Sequence, residues 1–308
     1  MKAIQYTAFG NSSVLKLNEV DKPSVKEDEV LVRLAATTVN PFDMKVRSGA
    51  MQKMLNVQLP YIPGSDIAGV VESIGSKVTR IKKGDEVFGT TFGGTYAGYI
   101  AIKEMNITTK PKNLSFTEVV SLAVPIVTSY TLLVETAQLQ SGQRVLVHGA
   151  SGSVGSVMVQ IAKALDAYVI TTASGEGVEL AKKSGADEVI DYKKIDFSTV
   201  VKDIDLVADT IGGETQVKSF NVLKKGGKLI SIVMPPSAEL AKKFEVSAQY
   251  INTTPSYKKL EFGKQLVEQG KIRPRIAKVM KLEQAAEAQD LVSAGGVNGK
   301  VVLEIDQQ

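Results

Sequence analysis

The sequence predicts an α/β protein in which a doubly wound parallel sheet follows a block of short strands of β-barrel type. Three observations predict it. Arg144-Val145-Leu146-Val147-His148 is a mostly apolar run that passes straight into the glycine-spaced stretch Gly149-Ala150-Ser151-Gly152-Ser153-Val154-Gly155. Val154, Met158, Ile161, Ala162 and Leu165 then recur at helical spacing, so the stretch reads as strand, tight turn, helix. Beyond it strands and helical segments alternate, whereas the residues before Thr109 read as strands separated by Gly, Pro and Asp turns.

In order, strands are expected at Lys2–Tyr6, Glu29–Leu34 and Ile67–Val71, and at Glu86–Phe88 after the turn Lys82-Lys83-Gly84-Asp85. Ser115-Phe116-Thr117-Glu118 has capping-box spacing and opens a helix, because the serine oxygen can accept the backbone N–H three residues on. A second helix is expected over Thr128–Ala137, broken by Ser141-Gly142. After Arg144 come a strand at Tyr168–Thr172, a helix over Gly177–Ser184, and strands at Glu188–Tyr192, Asp205–Asp209 and Lys228–Val233. The tail holds helical segments at Leu260–Gln269 and Leu282–Ala294 and a strand at Lys300–Ile305. The expected domains are 1–121, 122–259 and a return to the first domain over 260–308.

Composition narrows the chemistry. At 308 residues the chain can bury two cores, and its 44% hydrophobic and 23% charged content is ordinary for a globular protein. A net charge of +4, with lysines in scattered pairs such as Lys82-Lys83 and Lys193-Lys194, gives no nucleic-acid stripe. With no cysteine, disulfides and thiolate metal sites are excluded; with one histidine, no protein-built metal centre is expected. No apolar window is expected to reach the length that crosses a bilayer, and the chain opens on a strand rather than a leader, so a cytoplasmic protein with no membrane partner is expected.

The glycine turn carries the binding chemistry. One glycine allows the sharp turn, Gly152 lets backbone approach a pyrophosphate without a Cβ in the way, and Gly155 lets helix pack closely on strand. The N–H groups of the first helical turn, at Ser153, Val154 and Gly155, then face the anion with the positive end of the helix dipole. The same glycines would serve a plain strand-to-helix turn. About 20 residues further on, where an acid would hold the ribose 2′-hydroxyl of NAD, stands Thr172-Ala173-Ser174. A carboxylate there would repel a 2′-phosphate and a serine can donate to it, so NADPH is the expected cofactor.

Several stretches together resemble the zinc-free quinone oxidoreductase branch of the medium-chain dehydrogenase/reductase superfamily. They are Val39-Asn40-Pro41-Phe42-Asp43, Pro63-Gly64-Ser65-Asp66-Ile67-Ala68-Gly69-Val70-Val71, Lys83-Gly84-Asp85-Glu86-Val87, the glycine turn itself, Gly185-Ala186-Asp187-Glu188-Val189-Ile190-Asp191-Tyr192, Asp209-Thr210-Ile211-Gly212-Gly213 and Gly299-Lys300-Val301-Val302-Leu303. The resemblance implies a GroES-like catalytic domain, a Rossmann domain, a homodimer, and hydride transfer to a quinone or α,β-unsaturated carbonyl. It implies no zinc, because zinc alcohol dehydrogenases of the superfamily have a cysteine near Asn40 and Gly-His-Glu where this chain has Gly64-Ser65-Asp66. It marks Asn40, Lys45 and Thr128 as catalytic candidates, and Tyr192, Gly299 and Lys300 as cofactor contacts beside Ser174.

The residues alone leave other readings open. Asn40 fits a turn before Pro41, Lys45 an exposed lysine, and Thr128 a helix start. Asp43 fits a cap, while His148 and Asp66 read as structural. Relatives place a cation just after the serine where this chain has Gly175-Glu176-Gly177, which leaves Lys45 or Lys193 to supply the charge. The methionine-containing Arg47–Met54 loop replaces the tyrosines of related quinone reductases and suits enones as well as quinones. A non-catalytic NADPH-binding role on the same fold is the alternative function.

Overall fold

A computed structural model describes residues 1–306, and the chain divides into two units. The first comprises Met1–Val124, Pro255–Glu268 and the chain from Pro274 onward; the second comprises Pro125–Thr254 and Gln269–Arg273.

In the first unit the strands are β1 (Lys2–Gln5), β2 (Lys16–Glu19), β3 (Glu29–Thr38), β4 (Asp66–Ile74), β5 (Glu86–Thr90), β6 (Tyr99–Lys103) and β7 (Ile107–Thr109). β3 is the longest because Val30, Leu31, Val32, Leu34 and Ala36 all find buried positions, with Thr37 and Thr38 completing its far end. It pairs antiparallel with both β4 and β6. Burial of Val30, Val32 and Leu34 on Ile67, Val71, Val87, Ile100 and Ile107 forms this unit's core, each side chain contributing about 1.5–3 kcal/mol. Between β3 and β4 runs a short helix, Pro41–Arg47, with Pro41 in its first turn, where a missing N–H costs nothing.

The second unit holds β8 (Arg144–His148), β9 (Tyr168–Ala173), β10 (Glu188–Asp191), β11 (Ile204–Asp209), β12 (Leu223–Ser231) and β13 (Ser247–Tyr250). They form one sheet in the order β10-β9-β8-β11-β12-β13, and every neighbouring pair is parallel. Counted within the unit this is 3-2-1-4-5-6, the order of a Rossmann sheet, in which the chain reverses direction beside its first strand. Val145, Leu146 and Val147 are all fully buried, as a parallel strand covered on both faces requires. The tail returns to the first unit with β14 (Ile276–Lys281) and β15 (Lys300–Glu304), which are parallel to each other, while β15 runs antiparallel to β3.

Two expectations need correction. The second helix begins at Ala123, five residues before Thr128, and becomes a π-helical turn over Thr131–Thr136. Its earlier start is possible because Pro125 lies in the first turn and the Val124 N–H is capped by Asp66 Oδ1 at 2.7 Å. The helical stretch Phe116–Thr136 also passes the length and hydropathy test for a membrane span, at a mean hydropathy of 1.6 over its best window. That window is 72% buried inside the fold, so the apolar run is a core helix. The serine capping box forms as expected, with Ser115 and Glu118 satisfying each other's backbone N–H.

Gly155 sits where strand, turn and helix meet most closely: a Cβ added to it would lie 2.3 Å from the Gly149 carbonyl oxygen. Gly155→Ala should therefore cost more than about 2 kcal/mol, because backbone has to move to relieve the overlap. Urea denaturation measures it, and a loss within about 0.5 kcal/mol would show that the contact is loose.

Candidate active site

In the second unit the turn is built by backbone. Gly149 takes φ of +71°, a conformation that side chains resist, and its carbonyl accepts the Gly152 N–H at 3.0 Å. Gly152 is the N-cap of the helix Ser153–Ala164, and Ser156 N–H makes a helical bond back to the Gly152 carbonyl at 3.0 Å. The N–H groups of Ser153, Val154 and Gly155 therefore lack helical acceptors and face outward with the dipole. An added Cβ at Gly152 would meet only the Gly149 oxygen, at 3.3 Å, so the outer side of the turn is open to a ligand.

A neighbouring loop braces this turn, and sequence reading missed its part. Asp209, fully buried at the end of β11, accepts from the N–H groups of Ile211 and Gly212 at 3.0 and 2.8 Å and from Gln216 Nε2 at 2.8 Å. Thr210 Oγ1 donates to the His148 carbonyl at 2.8 Å, which leaves Ile211 exposed beside Gly149. The signal available was an aspartate at a strand end followed by Thr-Ile-Gly-Gly, the pattern of a side chain closing its own turn.

Ser174 and Tyr192 come together at the carboxyl ends of β9 and β10. The parallel register pairs Asp191 with Ala173, so the residues just beyond are neighbours, and Ser174 Oγ donates to Tyr192 Oη at 2.9 Å. Tyr192 is exposed, as are Lys193 beside it and Glu176, the first residue of the helix Glu176–Lys183 that follows β9. Two hydroxyls thus stand where an NAD-specific site would have a carboxylate. Thr128 is buried in the helix Ala123–Tyr130. His148 is buried with both ring nitrogens engaged, Nδ1 with Thr172 Oγ1 at 3.0 Å and Nε2 with Ser219 Oγ at 2.9 Å, and its ring packs edge-on against Phe197. It is a packed histidine, not an acid for catalysis.

The first unit brings Asn40, Asp43, Ser65, Asp66 and Lys300 into one buried polar cluster. Asn40 ends the extended segment after β3, and its N–H donates to Asp43 Oδ2 at 2.9 Å, so Asp43 does cap the turn. Ser65 Oγ donates to Asp43 Oδ1 at 3.3 Å. Asp66 Oδ2 accepts from Asn40 Nδ2 at 2.8 Å and from Thr38 Oγ1, and Lys300 Nζ lies 3.5 Å from it. Lys300 Nζ also donates to Asn40 Oδ1 at 2.5 Å. The resemblance placed Lys300 on the cofactor; the structure turns its ammonium inward, with 2% of the residue exposed. Gly299, at φ of +126°, precedes it in the tight turn entering β15. Lys45 is exposed on the helix Pro41–Arg47.

These residues do not fit a zinc ion. Among the described residues no group of three or more His, Cys, Asp or Glu side chains is placed to hold a metal. Asn40 and Ser65 stand in place of the expected ligands, and the Lys300 ammonium already supplies the positive charge beside Asp66. The same unit exposes apolar side chains: Phe42 packs at 6.1 Å against Phe92, which is 58% exposed, and Met54 is 62% exposed.

A Rossmann sheet with an open glycine turn, together with a GroES-like strand unit, defines the class of two-unit pyridine-nucleotide oxidoreductases. Residues 26–112 match the family model for the alcohol dehydrogenase GroES-like domain, and residues 184–303 match the model for zinc-binding dehydrogenases. The chain is 36% identical to a 2-methylene-furan-3-one reductase of Solanum lycopersicum, over 98% of this chain and 79% of that one. It is 34% identical to a quinone oxidoreductase of Mus musculus, over 98% and 97% of the two chains. The structure of an Escherichia coli quinone oxidoreductase complexed with NADPH superposes with a TM-score of 0.90 at 25% identity, covering 99% of this chain and 100% of that one. The chain belongs to the zinc-free quinone oxidoreductase branch of the medium-chain dehydrogenase/reductase superfamily.

Two buried groups make stability depend on pH in opposite senses. Burial pushes the Asp43 carboxyl up to about 7, despite the Asn40 N–H that favours its anion, and burial pushes His148 down to about 4. The native chain therefore keeps a proton on Asp43 that the unfolded chain, with a pKa of about 3.9, has lost. That contribution makes stability fall as pH rises from about 4 to about 7. The unfolded chain gains a proton on His148 below about 6.5 that the native chain refuses until about 4, so this contribution falls as pH drops through that range. In the wild type the two oppose each other. Asp43→Asn removes only the first, and the stability of the variant relative to wild type should rise steadily from about pH 4 to about pH 7 in urea melts. A difference that does not change with pH would mean that Asp43 is ionised in the fold.

Proposed function

We propose that the protein is an NADPH-dependent reductase that transfers hydride, without zinc, to a quinone or an α,β-unsaturated ketone or aldehyde. The observation that carries the cofactor choice is the Ser174–Tyr192 hydroxyl pair at the ends of β9 and β10. Hydroxyls can donate to a 2′-phosphate, whereas a carboxylate would repel it. The N–H groups of Ser153, Val154 and Gly155 hold the pyrophosphate, and the open face at Gly152 lets it approach. When bound, the reduced nicotinamide supplies the hydride.

The chain's own residues bind the acceptor and answer the charge that develops on its oxygen. Asn40 commits one N–H to Asp66 and keeps the other as a neutral donor. Lys45, exposed on the helix that Asn40 caps, is the charged donor and proton source. Thr128 lines the nicotinamide pocket, while Phe42, Phe92 and Met54 supply apolar surface suited to planar, electron-poor acceptors. The enzyme acts in the cytoplasm as a homodimer that joins along β13, one of the two edge strands of its parallel sheet.

NADPH oxidation measured against quinones, alkenals and saturated alcohols tests the reaction. Turnover of quinones or alkenals is expected; turnover of alcohols alone would overturn the reading, and tight NADPH binding with no turnover would indicate a non-catalytic role. Ser174→Ala should weaken NADPH binding about tenfold, the cost of one hydrogen bond to a charged group, and leave NADH within about twofold. Fluorescence titration reads both, and equal losses for the two cofactors would remove Ser174 from the phosphate site.

A further inference from the structure

Lys300 is buried where nothing in hydride transfer itself calls for an ammonium. Its placement follows from backbone: β15 runs antiparallel to β3 with Val302 opposite Thr38, and the Val39 N–H donates to the Val301 carbonyl at 3.0 Å. The start of β15 therefore lies alongside the segment that carries Asn40. Gly299 makes the entry possible, since a Cβ there would sit 2.8 Å from Arg275 Cγ and 2.9 Å from the Arg275 carbonyl oxygen.

A primary amide can turn over and exchange its oxygen for its NH2 at little cost when its neighbours are neutral. Around Asn40 they are not. Oδ1 faces the Lys300 ammonium at 2.5 Å and Nδ2 faces the Asp66 carboxylate at 2.8 Å. Turning the amide over would set NH2 against ammonium and oxygen against carboxylate, two repulsive contacts in place of two charge-assisted hydrogen bonds. The pair uses one of the two N–H groups and one of the two acceptor positions of the amide. One N–H is left in a fixed direction.

We propose that Lys300 is a positioning residue: its buried ammonium, paired with Asp66, locks the Asn40 carboxamide in one orientation and so presents the remaining Nδ2–H to the carbonyl oxygen of the acceptor. The effect on turnover rests on the reductase reading above; the locking of the amide does not. Lys300→Met should lower kcat at least about tenfold while the KM for NADPH stays within about threefold. In the Asn40→Ala background, Lys300→Met should cost nothing further, because the residue it orients is gone. A rise in the KM for NADPH at unchanged kcat, or losses that multiply with Asn40→Ala, would overturn the proposal in favour of direct cofactor contact.

Should Lys300→Met fail to fold for want of a partner for Asp66, the Asp66→Asn/Lys300→Met double variant removes both charges together and should show the same kcat loss. Wild-type turnover in that double variant would also overturn the proposal. A spectroscopic arm is independent of any reaction. In protein labelled with 15N-asparagine, the Asn40 side-chain NH2 pair, identified by its absence in Asn40→Ala, should shift and exchange faster with water in whichever of the two lysine variants folds. If that pair stays where it is in wild type, the amide is not held by Lys300, whatever the enzyme reduces.

Discussion

A carboxylate with no exposure to water, Asp66, is the constraint around which the first unit is arranged. Taking such a charge out of water costs several kcal/mol unless partners surround it. Here the partners come from three separate stretches: Thr38 at the end of β3 with Asn40 in the turn that follows, Val124 N–H at a helix start, and Lys300 at the start of β15. Satisfying one side chain thus ties together segments that are far apart in the chain. A well-packed apolar cluster could give comparable stability, since buried ion pairs seldom add net stabilisation over hydrophobic replacements. What the ionic version adds is direction, because every donor and acceptor around the carboxylate has only one workable orientation.

The second unit meets its requirement in another way. A dinucleotide diphosphate needs several N–H groups converging on one place, and the end of a helix already has them to spare. The structural task is to bring that end close to the strand and keep side chains away. Gly149 makes the bend, Gly155 permits the contact with the Gly149 carbonyl, and the loop closed by Asp209 ties to the bend through Thr210 on the His148 carbonyl. An anion site built from backbone leaves side chains free for other contacts, and here two hydroxyls stand hydrogen-bonded at neighbouring strand ends.

Buried ionisable groups in this chain serve packing as well as chemistry. His148 is held neutral between two hydroxyls and an aromatic edge, at the end of the strand that leads into the glycine turn. Asp43 is nearly as deep and is satisfied by an N–H and a serine. Their protonation preferences run in opposite directions, so their two contributions to stability oppose each other over the range they share.

Much of this was legible in the order of residues. The strand-turn-helix at Arg144–Ala164, the alternation that yields a parallel sheet, and the capping box at Ser115 depend on neighbours within a few positions, where pattern and local physics coincide. Absence of cysteine and the presence of serine in place of an acid after β9 argued against thiolate metal chemistry and for a phosphate from composition and spacing alone. The start of the helix at Ala123 was not legible, because its cap is supplied by Asp66, 58 residues away from Val124. β14, of which four of six residues are exposed, was not expected as a strand; it becomes one through pairing with β15. The resemblance assigned Lys300 to the cofactor. Only the tertiary register, which lays the start of β15 beside the end of β3, could turn its ammonium inward onto Asn40 and Asp66, since the energy of a buried charge is set by partners that chain order does not reveal.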